Sequence, residues 1–155
     1  METVAEHLGK TYRSVAVRQS DNLESIFTGF AFPCLIWDHG SRLSSEERFE
    51  FVKKLLAAGC RYFVCGGAEC ELWHDIVDEE WVSQHFDDPP DVQAAAHVMT
   101  TWHEGESPDD VAFFFVMNTN FDNYDFKEFL IVHSGGSEPD VERVNAAVRQ
   151  LAFRS

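Results

Sequence analysis

Four short stretches bring chemistry-bearing side chains next to glycine. They are Asp38-His39-Gly40, Cys65-Gly66-Gly67, His103-Glu104-Gly105 and His133-Ser134-Gly135-Gly136. Asp, His, Cys and Glu are the residue types that move protons, attack electrophiles and ligate metals. Glu69, Cys70 and His74 follow the second stretch within one to two helical turns. The candidate catalytic set is therefore Asp38, His39, Cys65, Glu69, His103, Glu104 and His133. Gly40, Gly66, Gly67, Ser134, Gly135 and Gly136 are the candidates for ligand contact, because glycine permits tight turns and close backbone approach.

Three chemistries fit this set. His39, His103 and His133, with Asp38 or Glu104, have the donor types for Zn²⁺ or another divalent metal. Cys70 and His74, four apart on one helical face, form a second pair. HExxH and paired CxxC motifs are absent, and the plainer reading is polar groups that cap loops. Cys65 at a strand-to-helix turn could be a nucleophile, its pKa lowered by helix-terminal N–H groups, with His39 or His103 as base. The plainer reading is a small buried thiol. A nucleotide pocket would rest on backbone amides at helix N-termini. GxGxxG is missing, and the nearest cations are Arg42 and the edge histidines. Glu69 would suit glycosyl chemistry on a nucleoside-like substrate. Gly9-Lys10-Thr11 lacks the upstream glycine of a phosphate-binding loop and is set aside.

The composition narrows the partners. Of 155 residues, 45% are hydrophobic, with 14 Phe and 4 Trp, enough for one domain with its own core. The formal net charge is −15. Residues 62–126 hold 15 acidic residues and no Lys or Arg, whereas the rest of the chain is balanced. This argues against nucleic acid and anionic membrane surfaces, which require basic tracks. It leaves a basic protein partner, divalent cations and neutral ligands. No apolar run reaches the ~20 residues of a membrane span, and the N-terminus does not read as a secretory leader. A cytoplasmic location follows, with the four cysteines reduced. Cys60 and Cys65 bracket a strand and would lie roughly 16 Å apart, too far to bridge.

The elements that would position these residues alternate strand and helix. Residues 1–10 read as a frayed start or short helix, and Tyr12–Gln19 as a weak edge strand. Asn22–Phe32 reads as a short helix and loop closed by Pro33. Cys34–Trp37, Tyr62–Cys65, His97–Trp102 and Glu128–Val132 are short apolar runs, the pattern of strands covered on both faces. Helices follow over Ser45–Ala58, Ala68–Gln84, Pro108–Asn118 and Pro139–Leu151. Ser44 and Glu47 make a capping box for the first. That helix would bury Phe49, Val52, Leu55 and Leu56, and the second would bury Leu72, Trp73, Ile76, Val77 and Trp81. Its outer face would carry Glu71, Asp75, Asp78, Glu79 and Glu80. Phe113–Met117 also reads as a strand, Ala94–Ala96 as either state, and Asp87–Asp91 as a rigid acidic linker.

The expectation is a single three-layer Rossmann-like or flavodoxin-like α/β domain. An arm over 1–32 would precede a core over 33–155, with a mainly parallel sheet of about four core strands and an extra N-terminal edge strand. Right-handed crossovers would gather the four glycine-bearing turns at one sheet edge, where such folds bind ligands. The functional expectation is a partner- or ligand-binding protein that uses the acidic residues 62–126. The alternative is a small hydrolase or transferase at the strand edge.

Overall fold

The computed structural model describes residues 1–20, 23, 27 and 29–154. The architecture is mixed α/β, with one six-stranded sheet and, among the described residues, five α-helices. The strands are β1 (Glu2–His7), β2 (Lys10–Ala16), β3 (Phe32–Asp38), β4 (Cys60–Gly67), β5 (Met99–His103) and β6 (Glu128–Ser134). The helices are α1 (Ser45–Ala58), α2 (Cys70–His85), α3 (Pro90–Ala95), α4 (Pro108–Met117) and α5 (Glu138–Ala152). The sheet order is β1-β2-β6-β3-β4-β5. Only β1 runs antiparallel to its neighbour.

Local chemistry explains the element ends. Ser44 and Glu47 form the expected capping box on α1, and Gly59 closes that helix at φ 108°. Ser107 caps α4, and Ser137 with Asp140 caps α5. All seven residues of β3 are buried, as a central parallel strand requires.

Alternation along the strands sends side chains to two separate cores. Cys34, Ile36, Phe63, Cys65, Leu130 and Val132 pack with Phe51, Val52 and Leu55 of α1 and Trp73, Ile76 and Val77 of α2. Leu35, Trp37, Tyr62, Val64, Phe129 and Ile131 pack with Val111 and Phe115 of α4 and Val144 and Val148 of α5. Helices therefore cover both faces of the sheet.

Several expectations are corrected. The first residues are neither frayed nor helical. They form β1, joined to β2 by a tight turn in which Leu8 and Gly9 both have positive φ, 51° and 78°. β2 is not an edge strand, because it sits between β1 and β6. It ends at Ala16, and a 3-10 turn takes Val17–Gln19. Five parallel strands, not four, make up the parallel part of the sheet. The buried stripe of α1 is Phe51, Val52, Leu55 and Leu56, with Phe49 only partly covered. On α2, Glu80 is buried, and Leu72 and Trp81 are half-buried. Pro90 starts the short helix α3 inside the stretch read as a linker. Phe113–Met117 is helical. The short helix expected over Asn22–Phe32 lies largely outside the described residues.

The diglycine that ends β4 is a packing requirement. A Cβ at Gly66 would lie 2.8 Å from the Trp37 ring. At Gly67, with φ +79°, it would drive into the Asp38 carbonyl oxygen and sit 2.9 Å from Trp37 Nε1. Gly67→Ala should therefore lower stability by about 3 kcal/mol or more in urea denaturation. A loss below about 1 kcal/mol would show that the β3 and β4 turns are not locked together.

Candidate functional site

Parallel pairing places the ends of β3, β4, β5 and β6 on one sheet edge, so the four glycine-bearing turns do gather there. Asp38 anchors this edge and is 1% exposed. Its Oδ1 accepts the backbone N–H groups of Gly40 (2.8 Å) and Ser41 (2.9 Å). Its Oδ2 accepts Trp73 Nε1–H at 2.9 Å and pairs with Arg48 at 3.6 Å. A carboxylate so engaged holds its surroundings in place and has little freedom to move protons.

His39 and His133 meet across the neighbouring strands β3 and β6. Their rings stack at 5.2 Å, and His39 Nε2 lies 2.9 Å from His133 Nδ1. His133 Nε2–H donates to Asn145 Oδ1 at 2.9 Å. That bond leaves Nδ1 as the lone-pair nitrogen of His133, which accepts Nε2–H from His39. The resulting chain runs from α5 to the β3 turn. Burial pushes the His133 pKa down to about 4; the Asn145 bond opposes this and His39 adds to it. Burial also lowers the His39 pKa, against the pull of Asp140 and Asp38. Both rings are therefore neutral at neutral pH. The turns interlock as well. Ser41 Oγ and Ser134 Oγ are 2.6 Å apart, and a Cβ at Gly136 (φ +97°) would lie 2.7 Å from the His39 ring.

The other candidates do not join this pair. His103 lies beyond β4, roughly 10 Å from β3 at the usual strand spacing. Its ring nitrogens face Thr101 (3.0 Å) and Glu106 (3.0 Å). The expected metal trio of His39, His103 and His133 is thus split. Among the described residues no group of three His, Cys, Asp or Glu is arranged to hold a metal ion. Cys65 is fully buried in the α1–α2 core, and burial pushes its thiol pKa well up, with Cys70 adding to the effect. The expected activation at the turn is overturned, because the side chain faces the core and not the helix terminus. Cys70 is raised by burial too, and His74 turns to Thr100, Asp78 and Trp102. Glu69 is exposed in a left-handed conformation (φ 55°) before α2, and Glu104 is exposed. Gly40 is exposed, whereas Gly66, Gly67 and Gly136 are filled by neighbouring groups.

Sequence reasoning missed Asn145, Arg48 and Ser41. Asn145 and Arg48 are polar positions inside apolar helix stripes, next to Val144 and four before Val52. A polar residue there needs a buried partner, and that signal was available.

The far side of the sheet has a different character. β5 ends the strand order, so among the described residues its outer edge carries no paired strand. Trp102 on β5 is 45% exposed, and Phe113 and Met117 of α4 and Val82 and Phe86 at the end of α2 are exposed as well. Glu71, Asp75, Asp78, Glu104, Glu106, Asp109 and Asp110 surround them in the sequence and are all exposed.

Fold and edge together define a mainly parallel α/β protein with polar groups gathered at the strand C-terminal ends. The chain belongs to the family described as Domain of unknown function (DUF7684), whose model matches residues 13–151. No curated protein matches it. Among the described residues no helix is long and apolar enough to cross a membrane.

Two measurements check the site. The unfolded chain takes a proton on His133 near pH 6.5, the folded protein only near 4. Below about pH 6.5 the unfolded state therefore binds more protons, and stability falls with pH until both forms are charged. The expected loss between pH 7 and 4 is roughly 3 kcal/mol from this group, and His133→Gln should flatten most of that slope in denaturant titrations. Separately, iodoacetamide should leave Cys34, Cys60, Cys65 and Cys70 unlabelled in the native protein, since all four are buried free thiols. Labelling of Cys65 at the rate of free cysteine would restore it as a nucleophile.

Proposed function

We propose that this protein is a single-domain, three-layer Rossmann-like binding module that docks a basic, extended segment of a partner protein along the open edge of β5. The observation that carries the reading is that, among the described residues, the outer edge of β5 carries no paired strand, while Trp102 on that strand is exposed and residues 62–126 contain no Lys or Arg. An exposed strand edge presents N–H and C=O groups ready to pair with another chain. Apolar side chains beside it add contact area, and the acids select lysine- or arginine-bearing sequences. Nucleic acid and anionic membranes would be repelled by the same charge. Four free cysteines fit a reducing compartment, and we infer a cytoplasmic location on that ground.

The alternative is a small hydrolase or transferase at the strand C-terminal edge, and the His39–His133 pair supports it. The inert Cys65 and the separation of Glu69 and His103 from that pair weigh against it.

The test uses two synthetic peptides with the same order of side chains, both rich in Lys and Val. One is free to extend, and the other carries alternate N-methylated residues that cannot pair as a strand. The extended peptide should bind by fluorescence anisotropy, and its affinity should drop about tenfold or more between low and high salt. Trp102→Ala should weaken it several-fold. Equal binding of the two peptides would overturn strand addition, and absence of binding at low salt would overturn the docking surface.

A further inference from the structure

We propose that a second site lies at the opposite end of the sheet, in the cavity between the end of β2 and the start of α5. It would take an unphosphorylated, amino-bearing heterocycle of nucleoside size. The cavity measures about 720 Å³, within the range of roughly 300–1,000 Å³ typical of small-molecule sites. It opens where β2 and β6 end side by side. The chain after β2 packs Leu23 and Phe27 into one core, and α5 after β6 packs into the other. Divergence to opposite faces of the segments that follow two neighbouring strands creates the crevice in which open α/β sheets hold ligands.

The polar groups of this cavity select the ligand. Asn145 lines it, is 1% exposed, and accepts His133 Nε2–H on its Oδ1. Among the described residues its Nδ2 has no hydrogen-bond partner. A buried amide N–H₂ left unpaired is destabilising, and a carbonyl oxygen or ring nitrogen of a ligand would satisfy it. The His133 chain fixes the amide, so this donor is pre-oriented. Around it, among the described residues, the cavity's charged side chains are Glu2, Glu138 and Glu142, and no Lys or Arg lines it. Glu142 is already held by Arg149 at 2.9 Å, so Glu2 and Glu138 are the carboxylates left to favour an amino group and repel phosphate. The N-terminus of α5 does not reverse this preference, because its first turn already carries Glu138 and Asp140, and Ser137 and Asp140 cap it. An acceptor beside an exocyclic amine is the edge presented by cytosine- and adenine-type rings. This site is independent of docking at β5, which lies at the far edge of the sheet.

The experiment is ¹⁵N-edited NMR of the whole chain titrated with cytidine, adenosine, uridine and cytidine monophosphate at millimolar concentration. Cytidine or adenosine should shift the Asn145 side-chain N–H₂ signals and the Gly135 and Gly136 amides. Uridine, which lacks the amine, and cytidine monophosphate should bind at least several-fold more weakly. Glu138→Lys, at an exposed position, should leave the spectrum folded and narrow the gap between cytidine and its monophosphate. Unshifted Asn145 signals with both amino nucleosides would overturn the proposal, as would equal shifts from uridine or from the monophosphate.

Discussion

The buried carboxylate of Asp38 is the constraint on which the C-terminal edge of the sheet depends. A charge taken out of water must be met by several partners, or it destabilises the fold by several kcal/mol. Here the partners come from three places: the turn after β3, Arg48 on α1 and Trp73 on α2. Arg48 also lies over the Trp73 ring, 5.6 Å from its centroid. The Asp38 carbonyl oxygen accepts Ala68 N–H at 2.8 Å, which ties in the turn after β4. One residue thus sets where two strands stop and how two helices dock. Residues in its place lacking either oxygen would leave a buried donor behind.

The histidine pair depends on that frame. His39 follows Asp38 directly, and its N–H donates to the Ser134 carbonyl at 3.0 Å, so the β3 turn is pinned to β6 before the rings meet. The rings then close a hydrogen-bonded chain that ends on Asn145. Pocket, pair and anchor form one continuous polar path between two apolar cores. Charge is distributed in the opposite sense across the sheet. On the β1–β2 side, Arg13 pairs with Glu128, and Arg149 binds both Glu142 and the Val4 carbonyl. On the β5 side the acids have no Lys or Arg among them in sequence. Their field extends roughly one Debye length, about 10 Å at moderate salt.

How much of this was legible depends on whether the signal was local. β3, β4 and β6 read clearly because strands covered on both faces become unbroken apolar runs. α1 read clearly because Ser44 and Gly59 announce its ends, and α5 because Val141, Val144, Val148 and Leu151 keep a helical period. β1 did not, since only Val4 and Ala5 of its six residues are buried and its turn is Leu8-Gly9 rather than an Asn-Gly pair. The site was half legible. The residue types at the strand ends were visible, but strand order was not. β6 inserts between β2 and β3, which brings His133 to His39, while β4 keeps His103 away. No local pattern carries that information. Cys65 was misjudged because a turn position says nothing about which face a side chain takes.

The four cysteines have a consequence for the life of the chain outside its folded state. Cys34, Cys60, Cys65 and Cys70 fall within one stretch of sequence and are sealed together beneath α1 and α2. Folding is therefore their only shield from oxidants. Once the chain opens, four thiols become reactive at once, and crosslinks between cysteines that the fold keeps apart oppose refolding. Heat damage under air would then be one-way, whereas a reductant would keep it reversible. The durability of the protein is set by how rarely it unfolds as much as by how strongly it is held together.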